Sequence, residues 1–418
     1  MKRSVLHVDA NSAYLSWSAV DMLEHGYPLD VRTVPSAIAG DPANRHGIIL
    51  TKSIPAKKFG IKTGESLFEA KIKCPELLVF APNYDLYLDC SNAMHGILSE
   101  YSNKIERYSV DESFIEYTGS EEALGNPEDI AMQIKERIKR ELGFTVNVGL
   151  GDNKLLAKMA SELKKPDNFH TLYTHEIPEK MWTLDVGELF YVGRATEKKL
   201  KNIGIKTIGE LANSDIDLIK SLLKPVHGQL VHNYANGIDD SPVAPNNEIV
   251  QKGVGNSITI PYDVTTFEDA YGVLLALTER VGTRLRKLAA SARVISVTIR
   301  NSDLSFYRHQ RKIDHEVEST DEIYDLVCLI FAEAWRGDPI RHLGVHLSTL
   351  SRNANRQISL FERKDIEELK KIDKTVDNIR KIYGDESIIR GRFANSDNPA
   401  MLGGVNDGNY LMMGGYSL

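Results

Sequence analysis

His7-Val8-Asp9-Ala10-Asn11 closes an N-terminal apolar run, and Tyr108-Ser109-Val110-Asp111-Glu112-Ser113 follows about a hundred residues later between two strand-like stretches. Val5-Leu6-His7-Val8 and Phe114-Ile115-Glu116-Tyr117 read as buried strands, where a carboxylate is costly unless it is paired or holds a metal. Asp9, Asp111 and Glu112 therefore stand at strand ends, and three carboxylates so placed suggest a two-cation site for phosphoryl transfer. Taken singly, each would read as an ordinary solvated turn acid. The rest of the chain decides between these readings.

At 418 residues the chain is too long for one ordinary core, and about three or four domains are expected. Its 42% hydrophobic and 26% charged fractions are those of a soluble globular protein. No apolar stretch approaches the roughly 20 residues needed to span a bilayer, so no membrane partner is expected. The basic, then apolar N-terminus superficially resembles a signal peptide. Asp9 interrupts it after a few residues and no small-residue cleavage site follows, so it reads as a first core strand. Cys74, Cys90 and Cys328 are scattered, fitting a reducing cytoplasm and arguing against structural zinc.

After the Asp9 strand, residues 13–82 are mixed, with short helical patterns and the Lys-rich stretch Lys52-Ser53-Ile54-Pro55-Ala56-Lys57-Lys58-Phe59-Gly60. Residues 83–105 read as a long amphipathic helix with Tyr87, Cys90, Met94, Ile97 and Leu98 on one stripe. The Asp111 strand pair, a helix from Pro127 to Leu142 and an alternating strand from Phe144 to Leu150 follow. Gly151-Asp152-Asn153 is a turn and N-cap signal for a helix from Lys154 to Leu163, which stops at Lys165-Pro166. This order suits an α+β sheet domain with an insertion. Residues 173–240 read as helical, with turn units at Val192-Gly193-Arg194-Ala195-Thr196 and Ile203-Gly204-Ile205. Asp239 to Asn247 reads as a linker. Residues 251–352 give strand, helix, strand, strand, helix, strand. Beyond lie Gln357-Ile358-Ser359-Leu360-Phe361, a charged helix and a Gly/Asn-rich tail.

The net charge of −7 does not suggest a nucleic-acid partner, but nine Lys/Arg and one acid, Asp303, lie between Arg280 and Lys312. Ile295, Val297 and Ile299 alternate against Ser296, Thr298 and Arg300, while Arg308, Gln310 and Lys312 share one strand face. A sheet with one apolar face and one short polar and cationic face suits phosphate contacts without base readout. The alternative is a solvated outer face.

Together, the two acidic signatures, the segment 51–64, Lys165-Pro166 and the order of regions resemble Y-family (translesion) DNA polymerases from about residue 3 to 352. Gly149-Leu150-Gly151-Asp152-Asn153-Lys154-Leu155-Leu156-Ala157-Lys158 is similar to the UmuC-like branch, which includes SOS and UV-repair polymerases of Gram-positive bacteria. The resemblance implies a right hand: palm at 1–12 and 83–172, fingers at 13–82, thumb at 173–240, linker at 241–250, little finger at 251–352 and a tail at 353–418. It implies that Asp9, Asp111 and Glu112, with the Ala10 carbonyl, hold two Mg²⁺, as the preference of Mg²⁺ for hard oxygen ligands agrees. Adjacent Asp111 and Glu112 would face opposite ways on a regular strand, so a turn or bulge must redirect them.

In the same frame Tyr14 matches a steric gate against the 2′-hydroxyl of the incoming dNTP. Lys57 stands where an arginine usually meets the triphosphate, Ile54 where many members carry a tyrosine, and Lys165 matches a palm phosphate lysine. Lys57 supplies charge without a bidentate fork, and Lys52 or Ser53 is a candidate replacement for the missing tyrosine hydroxyl. The thumb units around Gly193 and Gly204 resemble helix-hairpin-helix motifs that offer backbone N–H groups to DNA, with Tyr191 in place of the first hairpin glycine. Arg300, Arg308 and Lys312 are the expected little-finger contacts to primer-template DNA. Gln357, Leu360 and Phe361 resemble a sliding-clamp peptide. The implied activity is low-fidelity DNA synthesis past damaged bases in the cytoplasm, within the SOS response and with SOS accessory proteins as further candidate partners. Two alternatives remain: a nucleotidyl cyclase or primase-like synthase sharing the metal site, and a catalytically weak DNA-bound accessory protein.

Overall fold

The computed structural model describes residues 3–45, 47–245, 251–352 and 366–394. Its strands, in chain order, are β1 (Val5–Ala10), β2 (Ser36–Ala39), β3 (Ile49–Lys52), β4 (Leu78–Phe80), β5 (Ile105–Arg107), β6 (Glu112–Glu116), β7 (Val146–Gly151), β8 (Phe169–Leu172), β9 (Gly253–Val264), β10 (Ser291–Asn301), β11 (Phe306–Val317) and β12 (Ile340–Ser351). Two compact units divide the described residues, one holding 3–39 and 49–245, the other 40–45, 47–48, 251–352 and 366–394.

The first unit is built on a five-stranded sheet in the order β5-β6-β1-β7-β8. Every residue of β1 is buried, and period-2 alternation sends its residues to two different layers. Leu6, Val8 and Ala10 join Val146, Val148, Leu150 and Ile115 in a core with Tyr87, Met94, Ile97, Leu98, Ile130, Ile134 and Ile138, which come from the helices Tyr84–Ser99 and Pro127–Leu142. The expected helix over 83–105 is thus shorter, and its last residues turn into β5. On the other face lie Val5, His7 and Asp9, flanked on β6 by Phe114 and Glu112 and on β7 by Gly151, Gly149 and Asn147. The helix Lys154–Glu162 packs over this second face.

Residues 13–82 contain the helix Ala13–Glu24 and, beyond the short helical patterns read from the sequence, a three-stranded sheet in the order β3-β2-β4. Strands of three or four residues are too short for alternation to register. Residues 174–235 are helical, including Arg194–Asn202, Ile208–Ala212, Ile216–Leu223 and Pro225–Ala235. Asp239, Ser241 and Ala244 are fastened to this unit: Leu155 N–H donates to Asp239, Arg3 to the Ser241 carbonyl, and Ala244 N–H to Glu106, while Val243 is buried against Val5, Phe114 and Ala157.

The second unit is a four-stranded antiparallel sheet, β11-β10-β12-β9, with the helices Phe267–Lys287 and Thr320–Ala334 on its apolar face. The expected charged helix is Ile366–Tyr383. It belongs to this unit, where Asp373 accepts from Thr320 N–H, Asp377 pairs with Arg286, and Arg380 pairs with the buried Glu279.

Candidate active site

Two glycines decide what covers Asp9. A Cβ on Gly149 would lie 2.0 Å from the Ala157 carbonyl oxygen and 2.4 Å from Ser161 N; one on Gly151 would lie 2.7 Å from Ala157 N. Bare backbone on β7 thus lets the helix Lys154–Glu162 lie directly on the sheet. Asn147, fully buried, anchors the end of that helix by donating to the carbonyls of Ser161 (2.9 Å) and Lys164 (2.8 Å). The helix therefore delivers Lys158, Glu162 and Lys165 to the acidic end of the sheet.

Asp9 and Glu112 are direct cross-strand partners in the β1–β6 register. Lys165 Nζ donates to Asp9 Oδ2 at 3.0 Å and to Glu162 Oε1 at 2.9 Å, and Lys158 Nζ donates to Glu112 Oε2 at 2.8 Å. Lys158 also faces the rings of Phe190 and Tyr108, with Nζ 5.3 and 5.5 Å from their centroids, within cation–π range. Burial pushes the Asp9 carboxyl up to about 7 against the opposing pull of Lys165. Burial would raise Glu112 too, but the His7 ring and Lys158 outweigh it and hold Glu112 well below the usual carboxylate range. Burial pulls Lys165 down, and Asp9 and Glu162 more than offset it.

Among the described residues, the carboxylates that place oxygens within 4.8 Å of one another are those of Asp9, Glu112 and Glu162. Asp111 lies in the turn between β5 and β6, closed by Tyr108 N–H on the Glu112 carbonyl at 3.0 Å. Asp111 thus leaves the strand before Glu112 enters it, and its carboxylate is not in that close group. The Asp111 carboxylate accepts from Ser109 Oγ at 2.5 Å, its carbonyl accepts from Ala10 N–H at 3.0 Å, and burial raises its pKa. The cluster of hard carboxylate oxygens, with ionisation at Asp9 disfavoured by burial, fits divalent cations such as Mg²⁺.

Beside the acids, Tyr14 stacks on Tyr87 with ring centroids 4.3 Å apart, and Tyr84 meets both edge-on. Lys57 is exposed on the short helix Ile54–Lys58, whose Ile54 is half exposed. Burial and nearby Lys57 depress the pKa of Lys52, which donates to Thr63. Ser53 is buried and committed: it caps this helix, donates to the Val34 carbonyl and accepts from Ser36 N–H. Lys52 and Lys57 therefore form the cationic pair of this segment, and Ser53 is excluded as a replacement for the tyrosine hydroxyl.

In the thumb segment Tyr191 adopts φ +70°, the left-handed conformation a glycine would take there, and its ring packs against Phe190 and Tyr234. The hairpin turn is thus retained without its first glycine. Gly193 opens the helix Arg194–Asn202 with no side-chain cap, leaving the first-turn N–H groups for an anion. The helix after Gly204 differs, since Thr207 and Glu210 form a capping box that satisfies its N–H groups and places a carboxylate there.

On the second unit the register aligns exposed Arg300, Arg308 and Lys312 on one face with partly buried Thr298, His342 and His346 and buried Ser296. Arg308 donates to Ser296 Oγ at 3.0 Å and shares a hydrogen bond with His346. The surplus of eight positive charges is smaller than the sequence window suggested. Arg280 pairs with Asp385, Arg286 with Asp373 and Asp377, Arg293 with Glu316, and Arg311 with Glu333. Gln357, Leu360 and Phe361 lie outside the described residues.

Sequence reasoning missed Glu162, Lys158, Asn147 and His7. His7 is fully buried, shares a hydrogen bond with Ser161 Oγ at 2.8 Å, and has Nε2 3.6 Å from Glu112; burial lowers its pKa to about 4. For Glu162 the available signal was its position three residues before Lys165, at the end of the preceding helix.

The fold is that of right-hand polymerases. A "Y-family DNA polymerase chimera Dbh-Dpo4(243-245)-Dbh" superposes with a TM-score of 0.73 at 21% identity, covering 84% of this chain and 100% of that one. DinB from Sulfolobus solfataricus gives 0.55 at 21% identity over 82% of this chain and 98% of that one. Residues 8–162 match the model of the impB/mucB/samB family, 251–360 that of its C-terminal domain, and 175–205 the family's HHH motif. "DNA polymerase IV" of Clostridium acetobutylicum is 48% identical over 93% of this chain and 98% of its own length. "DNA polymerase IV 2" of Bacillus subtilis is 36% identical over 93% and 94%. The chain belongs to the impB/mucB/samB family, the Y-family DNA polymerases. No described helix is long and apolar enough to cross a membrane.

Proposed function

We propose that this chain is a DNA-directed DNA polymerase for translesion synthesis, extending a primer on a template from dNTPs at the end of the β1–β6 pair. The observation that carries the reading is the cross-strand juxtaposition of Asp9 and Glu112 beneath Lys158 and Lys165. Asp9, Asp111 and Glu112, with the Ala10 carbonyl, are the groups that would hold two Mg²⁺. When bound, such ions lower the pKa of the attacking hydroxyl and neutralise charge on the departing pyrophosphate.

The chain's own residues orient and exclude. Lys165 and the pair Lys52/Lys57 supply positive charge for a triphosphate, as point charges and not as a bidentate fork. The Tyr14 ring, braced by Tyr87, blocks the space a 2′-hydroxyl would need. Gly193 offers uncapped N–H groups to a DNA phosphate, with Gly204 a weaker candidate because of the Glu210 cap. Arg300, Arg308 and Lys312 meet the DNA backbone from the second unit. The boundaries at 12, 82, 172 and 240 delimit palm, fingers and thumb, and 251–352 the little finger. Gln357, Leu360 and Phe361 dock on a sliding clamp, and the setting is the cytoplasmic SOS response, with SOS accessory proteins as further candidate partners. Primer extension with dNTPs and Mg²⁺ on undamaged and lesion-bearing templates tests the reading. Extension lost in Asp9→Asn supports it, and synthesis without a primer would replace it by the cyclase or primase-like reading.

A further inference from the structure

Lys165 sits between two carboxylates that differ in kind. The Asp9 side chain is 9% exposed on a strand, whereas the Glu162 side chain is 45% exposed, three residues before Lys165. The two ammonium–carboxylate distances, 3.0 and 2.9 Å, are nearly equal. An ammonium on Asp9 and a divalent cation on the same carboxylate repel each other, at a cost of about 4 kcal/mol per unit charge at 4 Å and an effective dielectric of 20. The Glu162 contact does not share its carboxylate with that cation, so it is the contact that can persist when Asp9 serves as a cation ligand.

We propose that Glu162 is the positioning residue for Lys165: it retains the ammonium at the mouth of the site once Asp9 is engaged, aimed at the triphosphate of the incoming nucleotide. The inference rests on the polymerase reading above. Glu162 acts through Lys165, does not touch the reacting atoms, and its removal lets Lys165 swing free or remain on Asp9. Asn147, which fixes the carbonyls of Ser161 and Lys164, holds the backbone from which both side chains project.

The test is a double-mutant cycle of Glu162→Gln and Lys165→Met in the full chain, reading KM for dNTP, kcat, and Mn²⁺ affinity by paramagnetic resonance without nucleotide. A partly exposed ion pair is worth up to about 1 kcal/mol, so Glu162→Gln should raise KM about fivefold with kcat little changed. Mn²⁺ affinity should not weaken, Glu162→Asp should restore most of the KM, and in the Lys165→Met background Glu162→Gln should add less than about twofold. A KM effect that persists undiminished in the Lys165→Met background would overturn the proposal. So would a tenfold loss of Mn²⁺ affinity in Glu162→Gln, which would make Glu162 a cation ligand. Failure of the polymerase reading itself is distinguishable, because the wild type would then show no template-directed primer extension with Mg²⁺ and dNTPs.

Discussion

Asp9 carries an electrostatic cost that can be read by titration. Its folded-state pKa of about 7 lies above the ordinary 3.8, so folding without cations favours the protonated acid. The cost is absent below about pH 4, grows as pH rises, and is complete above about pH 7, where it amounts to roughly 2–4 kcal/mol. The substitution Asp9→Asn removes it. In urea unfolding at pH 8 without metal, that variant should be more stable than the wild type, and its advantage should vanish as pH approaches 4. Glu112 behaves oppositely, since the His7 ring and Lys158 hold it ionised. Lys158→Met should destabilise the fold by about 2–3 kcal/mol at pH 7, measured by the same titration. Asp9, Asp111 and Glu112 were legible because a strand-end carboxylate after an apolar run is anomalous in sequence. Glu162 and Lys158 were not, because on an amphipathic helix they look like ordinary surface charges. Only the packing of that helix on β7 shows where they go.

At the scale of elements, the site depends on how closely the helix Lys154–Glu162 approaches β7. Gly149→Ala would force a Cβ to within 2.0 Å of backbone oxygen. The helix must then lift, taking Lys158, Glu162 and Lys165 away from the acids. A loss of at least about 3 kcal/mol in chemical denaturation is expected, with activity falling in whatever fraction still folds. The sequence marked Gly149 only as part of a family-like stretch and Gly151 also as a turn signal, and the reason for them is a backbone contact between elements. The helix and strand around them were legible from period and N-cap signals. The three-stranded sheet β3-β2-β4 was not, since its strands are shorter than the pattern that would reveal them.

On the scale of the whole molecule, the charge distribution is the clearest instance of distant residues changing a local reading. Arg280 and Arg286 looked like part of a basic DNA-facing cluster, yet acids about ninety to a hundred residues later in the chain take them up: Asp373, Asp377 and Asp385. Glu279, 4% exposed, is in turn held by Arg380 and Arg390. Replacing both of those arginines by Met would leave a buried unpaired carboxylate. Thermal unfolding should show a second unit weakened by about 3–5 kcal/mol. The charged helix was visible in the sequence, but its ion-paired docking on the second unit was not, because ion pairs across such separations leave no periodic trace.

The central claim is that Asp9, Asp111 and Glu112 form the cation-holding set for nucleotidyl transfer. Asp111 tests it most directly, since its carboxylate rests on Ser109 while Glu162 stands closer to the other two acids. Single-turnover primer extension with Mg²⁺ should fall by about a thousandfold or more in Asp111→Ala, with circular dichroism unchanged. A rate within about threefold of wild type in a folded Asp111→Ala protein would contradict the account.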